Sequence, residues 1–120
     1  MLLLCLVAGC ATVTPAEIAA ADFGSLPAGY QERVKNVIGQ ELRDPFSATY
    51  RFGEPKKGFS KDGIAMGGKK HFGWIVPVGV NAKNGFGGYA GDELYYVMFF
   101  EGGAGDVTEM FRAGMAKFIE

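Results

Sequence analysis

Apolar residues along this chain recur first at helical spacing and then in alternation. Tyr30, Val34, Val37, Ile38 and Leu42 form one stripe, while Gln31, Glu32, Lys35, Asn36 and Gln40 fall on the opposite face, which predicts an amphipathic helix over residues 30–43. Pro27 precedes it, and Asp44-Pro45 ends it because the residue before proline avoids the α region. Phe46, Ala48, Tyr50 and Phe52 then alternate with Ser47, Thr49 and Arg51, the period of a half-buried strand. Phe72, Trp74, Val76, Val78 and Val80 alternate with Gly73, Ile75, Pro77 and Gly79 in a second strand. Pro77 lacks a ladder donor, so this strand is expected at an edge, or bulged. Residues 94–100 are apolar on both faces, which predicts a central strand covered on each side. Asn84-Gly85 marks a turn between the second and third strands, with Asn84 and the following glycines expected at positive φ. Val107, Met110, Phe111, Met115, Phe118 and Ile119 fit a C-terminal amphipathic helix with Asp106 as its N-cap. The order helix, three strands, helix predicts an α+β fold. It would be a small antiparallel sheet of three to four strands packed against an N-terminal and a C-terminal helix.

Composition narrows the function classes. A chain of 120 residues, 48% hydrophobic and 13% aromatic, supports one domain with its own core, expected over residues 30–120. The nineteen glycines are about twice ordinary usage and concentrate between Gly53 and Gly105, which suggests turns between strands. A net charge of −1 points away from nucleic acid. Both cysteines, Cys5 and Cys10, lie at the N-terminus, so the domain is expected to have no disulfide and no thiol chemistry. His71 is the single histidine, Ser47 and Ser60 lack a nucleophile-elbow context, and the acids Asp44, Glu54, Asp62, Asp92, Glu93 and Asp106 are scattered. No enzyme, cofactor or metal site is therefore expected. A hydrolase stays as the least favoured alternative, to be revived by two carboxylates about 5 to 9 Å apart in a cleft.

The N-terminal residues carry an address. Residues 2–9 are uncharged and apolar, and far shorter than the roughly 20 residues of a membrane-spanning helix. Val7-Ala8-Gly9-Cys10 resembles a bacterial lipobox. That resemblance implies cleavage before Cys10, a diacylglycerol on its thiol and an acylated new N-terminus; the other reading is an ordinary buried strand or helix turn. No Lys or Arg precedes Arg33, so the basic region that opens a signal peptide is expected upstream of Met1. Residues 1–9 are thus read as a removed signal segment and 10–29 as a tether, the alternative for the latter being one short helix at 15–21 packed on the domain. Ala11 after Cys10, where enteric lipoproteins retained at the inner membrane have Asp, implies the outer membrane, facing the periplasm.

Two further motifs carry a family likeness. Asp44-Pro45-Phe46-Ser47-Ala48 and Asn81-Ala82-Lys83-Asn84-Gly85-Phe86-Gly87-Gly88-Tyr89-Ala90-Gly91 resemble the Asp-Pro-x-Ser-Ala and Asn-Ala-Lys-Asn-x-x-Gly-Gly-Tyr-x-Gly patterns of a group of small bacterial lipoproteins and secreted proteins. The likeness spans roughly residues 22–100 and implies address and architecture, with no activity attached. Pro77 departs from it, because relatives often carry a cysteine there, and the C-terminal helix has no counterpart in it. The first motif reads as a helix-to-strand turn, with a ligand role for Asp44 as the alternative. In the second, Asn81, Lys83, Asn84 and Tyr89 are candidates to bind a sugar, peptide or carboxylate, the plainer reading being a bulged turn. Lys56, Lys57, Lys61, Lys69 and Lys70, with His71, are candidates to meet anionic headgroups or cell-wall polymer, the plainer reading being a solvated loop. The function expected is therefore a membrane-anchored structural or interaction module of the cell envelope, partnered through its lipid anchor with the membrane and with an envelope protein or wall polymer. The alternative is a small-ligand binding module using residues 81–91.

Overall fold

A single long strand organises the molecule. The computed structural model describes residues 11–119, and in it β3 (Lys70–Asn81) runs twelve residues through the middle of a six-stranded antiparallel sheet. Along its path the order is β5 (Gly103–Asp106), β4 (Glu93–Phe100), β3, β2 (Lys56–Lys61), β6 (Ala116–Phe118), and β1 (Thr49–Phe52) also pairs with β3. The α+β class holds, but the sheet has six strands where three to four were expected.

The sheet is apolar on both faces. Val76, Val78 and Val80 of β3 join Val97 and Phe99 of β4 under Val34 and Ile38 of helix α2 (Tyr30–Gly39). On the other face Ile75 and Met98 pack with Val107 and Ala116, and with Met110 and Phe111 of helix α3 (Thr108–Arg112). Residues 94–100 therefore read apolar throughout because β4 is covered on both sides, although β3 is the central strand. β3 and β4 also approach too closely for a side chain at one point: a Cβ on Gly73 would collide with the Phe99 carbonyl oxygen.

Pro77 sits inside this sheet, at neither an edge nor a bulge. Its carbonyl accepts from Gly53 N–H at 2.8 Å. On that side β1 covers Val78 to Asn81 and β2 covers Lys70 to Ile75. Carbonyl and amide of one residue point to the same side of an antiparallel strand, so the missing Pro77 donor falls opposite Gly53, just past the end of β1 and at the break between β1 and β2.

Other expectations are corrected. The helix ends at Gly39, and Pro45–Ser47 form a 3-10 turn that delays β1 until Thr49, leaving Phe46 fully exposed at 100%. Residues 56–61, read as loop, form β2. The C-terminal amphipathic helix is a five-residue helix that stops at Gly114 (φ 78°), after which the chain extends as β6 along β2. Gly114 takes a left-handed turn that favours glycine, and Ala116 and Phe118 alternate with Lys117 at strand period. Asp106 still serves the helix start, accepting from Thr108 N–H at 2.8 Å, one residue before the cap position of Val107.

Residues 11–29, read as a tether or a packed short helix, lie against the domain. Helix α1 (Pro15–Ala20) opens with a Thr14–Glu17 capping box, and Glu17 pairs with Lys70 of β3 at 3.0 Å. Phe23 meets Phe72 edge-on, and Trp74 Nε1 donates to the Gly24 carbonyl at 3.0 Å. Ala11 is buried, and its N–H donates to the Gly114 carbonyl at 2.9 Å. These contacts fit the packed helix.

Candidate functional site

At the end of β3 that finishes at Asn81, the two sequence motifs meet. Ser47 stands at their junction: its hydroxyl donates to the Asp44 carbonyl (2.7 Å) and accepts from Lys83 N–H (2.9 Å), while its carbonyl accepts from the Tyr89 hydroxyl (3.0 Å). The 81–91 loop closes on itself through a Lys83–Tyr89 bridge, with Asn84 Oδ1 accepting from Phe86 N–H at 2.8 Å and Asn81 Oδ1 from Gly91 N–H at 3.1 Å. Positive φ falls at Gly87 and Gly91; Asn84 is not at positive φ as expected. Asn81, Lys83, Asn84 and Tyr89 are thus brought together, but the side-chain oxygens of Asn81, Asn84 and Tyr89 are engaged with nearby backbone. Lys83 is the exception: its ammonium lies 5.9 Å from the Tyr89 ring centre, at cation–π range. Asp44 contributes its carbonyl to the turn.

Beside this loop is a shallow cleft of about 340 Å³, lined by Glu41, Glu93, Tyr95, Asp106, Thr108, Glu109, Met110 and Arg112. Glu41 follows the last turn of α2, and Asp106 ends β5. A hydrogen bond to Asp106, burial and the nearby charge push the Glu41 carboxyl up to about 7. Burial alone would raise Asp106, but hydrogen bonds from Glu41 and from Thr108 outweigh it and hold this carboxyl below its ordinary range. A proton kept on Glu41 lets it donate to the Asp106 carboxylate. Sequence reading missed Glu41 because only the fold brings it to Asp106; Glu109 salt-bridges Arg112 at 3.1 Å along α3. Among the described residues no three His, Cys, Asp or Glu side chains converge as a metal site.

The basic residues divide. Lys56 and Lys57 begin β2, whereas Lys61, Lys69 and Lys70 lie at the β2–β3 hairpin, at the opposite end of β3 from Asn81. Lys57 lies over the rings of Phe23 and Trp74 (5.1 and 5.7 Å), and Lys70 is paired with Glu17. His71 is held between Asp62 (3.0 Å) and Glu101 (2.8 Å). Burial disfavours the charged ring, but the hydrogen bonds to Glu101 and Asp62 and their charges together raise its pKa. Only imidazolium donates from both nitrogens at once. Cys10 and the apolar residues before it lie outside the described residues; among those described, no helix is long and apolar enough to cross a membrane.

Set against protein-family models, curated proteins and solved structures, the chain shows no match.

Proposed function

We propose that this protein is a lipid-anchored extracytoplasmic module of the bacterial cell envelope that presents a partner-binding end away from its membrane. The observation that carries the reading is the 2.9 Å bond from Ala11 to Gly114. Gly114 adjoins Met115, whose carbonyl accepts from Lys61 N–H at 2.8 Å, so the residue that follows Cys10 is fastened at the β2–β3 hairpin end. The other end of β3 stands roughly 36 Å away at about 3.3 Å per residue. There Phe46 and Phe86 are exposed at 100% and 99%, in an arrangement suited to a protein or wall-polymer surface. An anchored molecule of this build has a fixed foot and a free head.

The anchor is tested in native cells by palmitate labelling and detergent partitioning. Labelling and partitioning of the parent that are both lost in Cys10→Ala support the reading; an unlabelled parent, or a variant that partitions as the parent does, removes it. The head is tested by a photocrosslinker at Phe86 in the native membrane, which is expected to capture one defined envelope component that the same probe at Lys35 does not.

The second reading, binding of a sugar, peptide or carboxylate at the 81–91 loop, draws on the uncommitted Lys83 ammonium over Tyr89 and on a cleft of about 190 Å³ between residues 41–43 and the loop. Calorimetric titration with wall sugars and dicarboxylates, repeated on Lys83→Ala, discriminates it.

A further inference from the structure

We infer that the β2–β3 hairpin tip is a membrane-contact element that seats the anchored domain on an anionic lipid surface, an inference that rests on the lipid-anchor reading of Cys10. The tip is Gly63-Ile64-Ala65-Met66-Gly67-Gly68, in which Ile64–Met66 form a short 3-10 turn. Ile64 is 91% exposed and Met66 77%. Both are large apolar side chains on a projecting loop, with no neighbour covering them. Lys61 and Lys69 flank the tip, and neither has a carboxylate within ion-pair distance among the described residues. The acids of this end are already engaged: Glu17 with Lys70, and Asp62 and Glu101 with His71. An apolar point collared by uncommitted cations matches a bilayer surface, where apolar side chains enter the acyl boundary and lysines meet anionic headgroups.

Position supplies the second argument. Ala11 is bonded to Gly114 beside the end of β2, and Asp62 N–H donates to the Lys69 carbonyl to close the same hairpin. A lipid on Cys10 would enter the chain one residue from Ala11, about 3.8 Å of backbone. With so little slack, the acyl chains hold this end, and not the Phe46–Phe86 end, at headgroup level. The tip then works at the high effective concentration that a short tether imposes.

The test uses the full chain carrying Cys10→Ala, so that no acyl group contributes, and sedimentation with phosphatidylcholine vesicles with or without about one third phosphatidylglycerol. Residues 1–9 give a background common to all variants. Ile64→Ser/Met66→Ser is expected to lower partitioning by about tenfold or more, Ile64→Trp to raise it, and Lys61→Gln/Lys69→Gln to abolish the preference for the anionic vesicles. Phe46→Ser/Phe86→Ser, at the far end, is expected to bind as the parent does. Of the six residues substituted, five are exposed and Lys61 is half-buried, and unchanged circular dichroism checks that each variant is folded. Equal partitioning of the parent and the Ile64/Met66 variant overturns the inference, as does an equal loss in the Phe46/Phe86 variant. Native Cys10 found acylated alongside that result leaves the anchor reading standing; native Cys10 found unmodified overturns the anchor reading and the seating argument with it.

Discussion

Ser47 shows how one hydroxyl joins distant parts of the sequence. It closes its own 3-10 turn on Asp44 and receives Lys83 N–H from a loop thirty-six residues on. Ser47→Ala removes both side-chain bonds and leaves the Lys83 amide without its protein acceptor. A loss of about 1 to 2 kcal/mol is expected in urea unfolding, together with faster amide exchange at Lys83. Asp44→Asn keeps the carbonyl that Ser47 uses and is expected to change little. If Asp44→Asn proves the more damaging of the two, the side chain of Asp44 has a role beyond the turn. At this scale the sequence was half legible. Asp-Pro-x-Ser declares a turn through local chemistry, but nothing in it says which distant amide the serine will meet.

Among the elements, the C-terminal segment carries the clearest lesson. Phe111 of α3 stacks on Tyr96 of β4 with ring centres 3.8 Å apart, and Phe118 of β6 meets both rings edge-on. This aromatic trio fastens α3 and β6 to the outer face of the sheet. Phe111→Ala is expected to cost about 2 to 3 kcal/mol, less than a fully buried phenylalanine because Phe111 is half-buried. Thermal melting checks the loss, and native-state hydrogen exchange should show β6 protected less than β3. The apolar positions 107, 110, 111, 115 and 118 suit one helix by spacing, yet the chain uses them as helix, turn and strand. An edge of β2 was open for pairing, and Gly114 is able to reverse the chain toward it.

For the whole molecule, two proton-holding clusters set the pH dependence. Glu41 is pushed up to about 7 by its hydrogen bond to Asp106, so between its ordinary value of 4.5 and about 7 the folded chain binds more protons than the unfolded one. Stability from this group therefore falls as pH rises through that window. His71, raised above its ordinary 6.5, contributes fully below 6.5 and loses the contribution as pH rises through its folded value. Below about pH 4 the sign reverses, because Asp106, Glu17 and Glu101 are all held low. The melting temperature is thus expected to be highest on the acid side of neutral and to decline between pH 5 and pH 8. Because Glu41 is exposed to solvent, its share is on the order of 1 kcal/mol or less. Glu41→Gln should flatten the profile below pH 7, and His71→Gln above it; a profile that rises with pH across this range would contradict both assignments.

The sequence by itself determined what local chemistry can fix: a helix from a 3.6-residue stripe, strands from alternation and from apolar runs, a turn at Asp-Pro, and an α+β class from their order. It also held the Cys10 motif, on which the proposed anchor rests. Tertiary structure alone decided how many strands the sheet recruits, since β2, β5 and β6 are glycine- or lysine-bearing segments that become strands only when a neighbour offers an edge to pair with. It decided that Pro77 lies in the middle of the sheet, at the break between its two partner strands on one side, where only one ladder bond is lost. And it brought Glu41 to Asp106 and Ala11 to Gly114, contacts between residues far apart in the chain, whose pairing is set by packing and not by any pattern that neighbouring residues display.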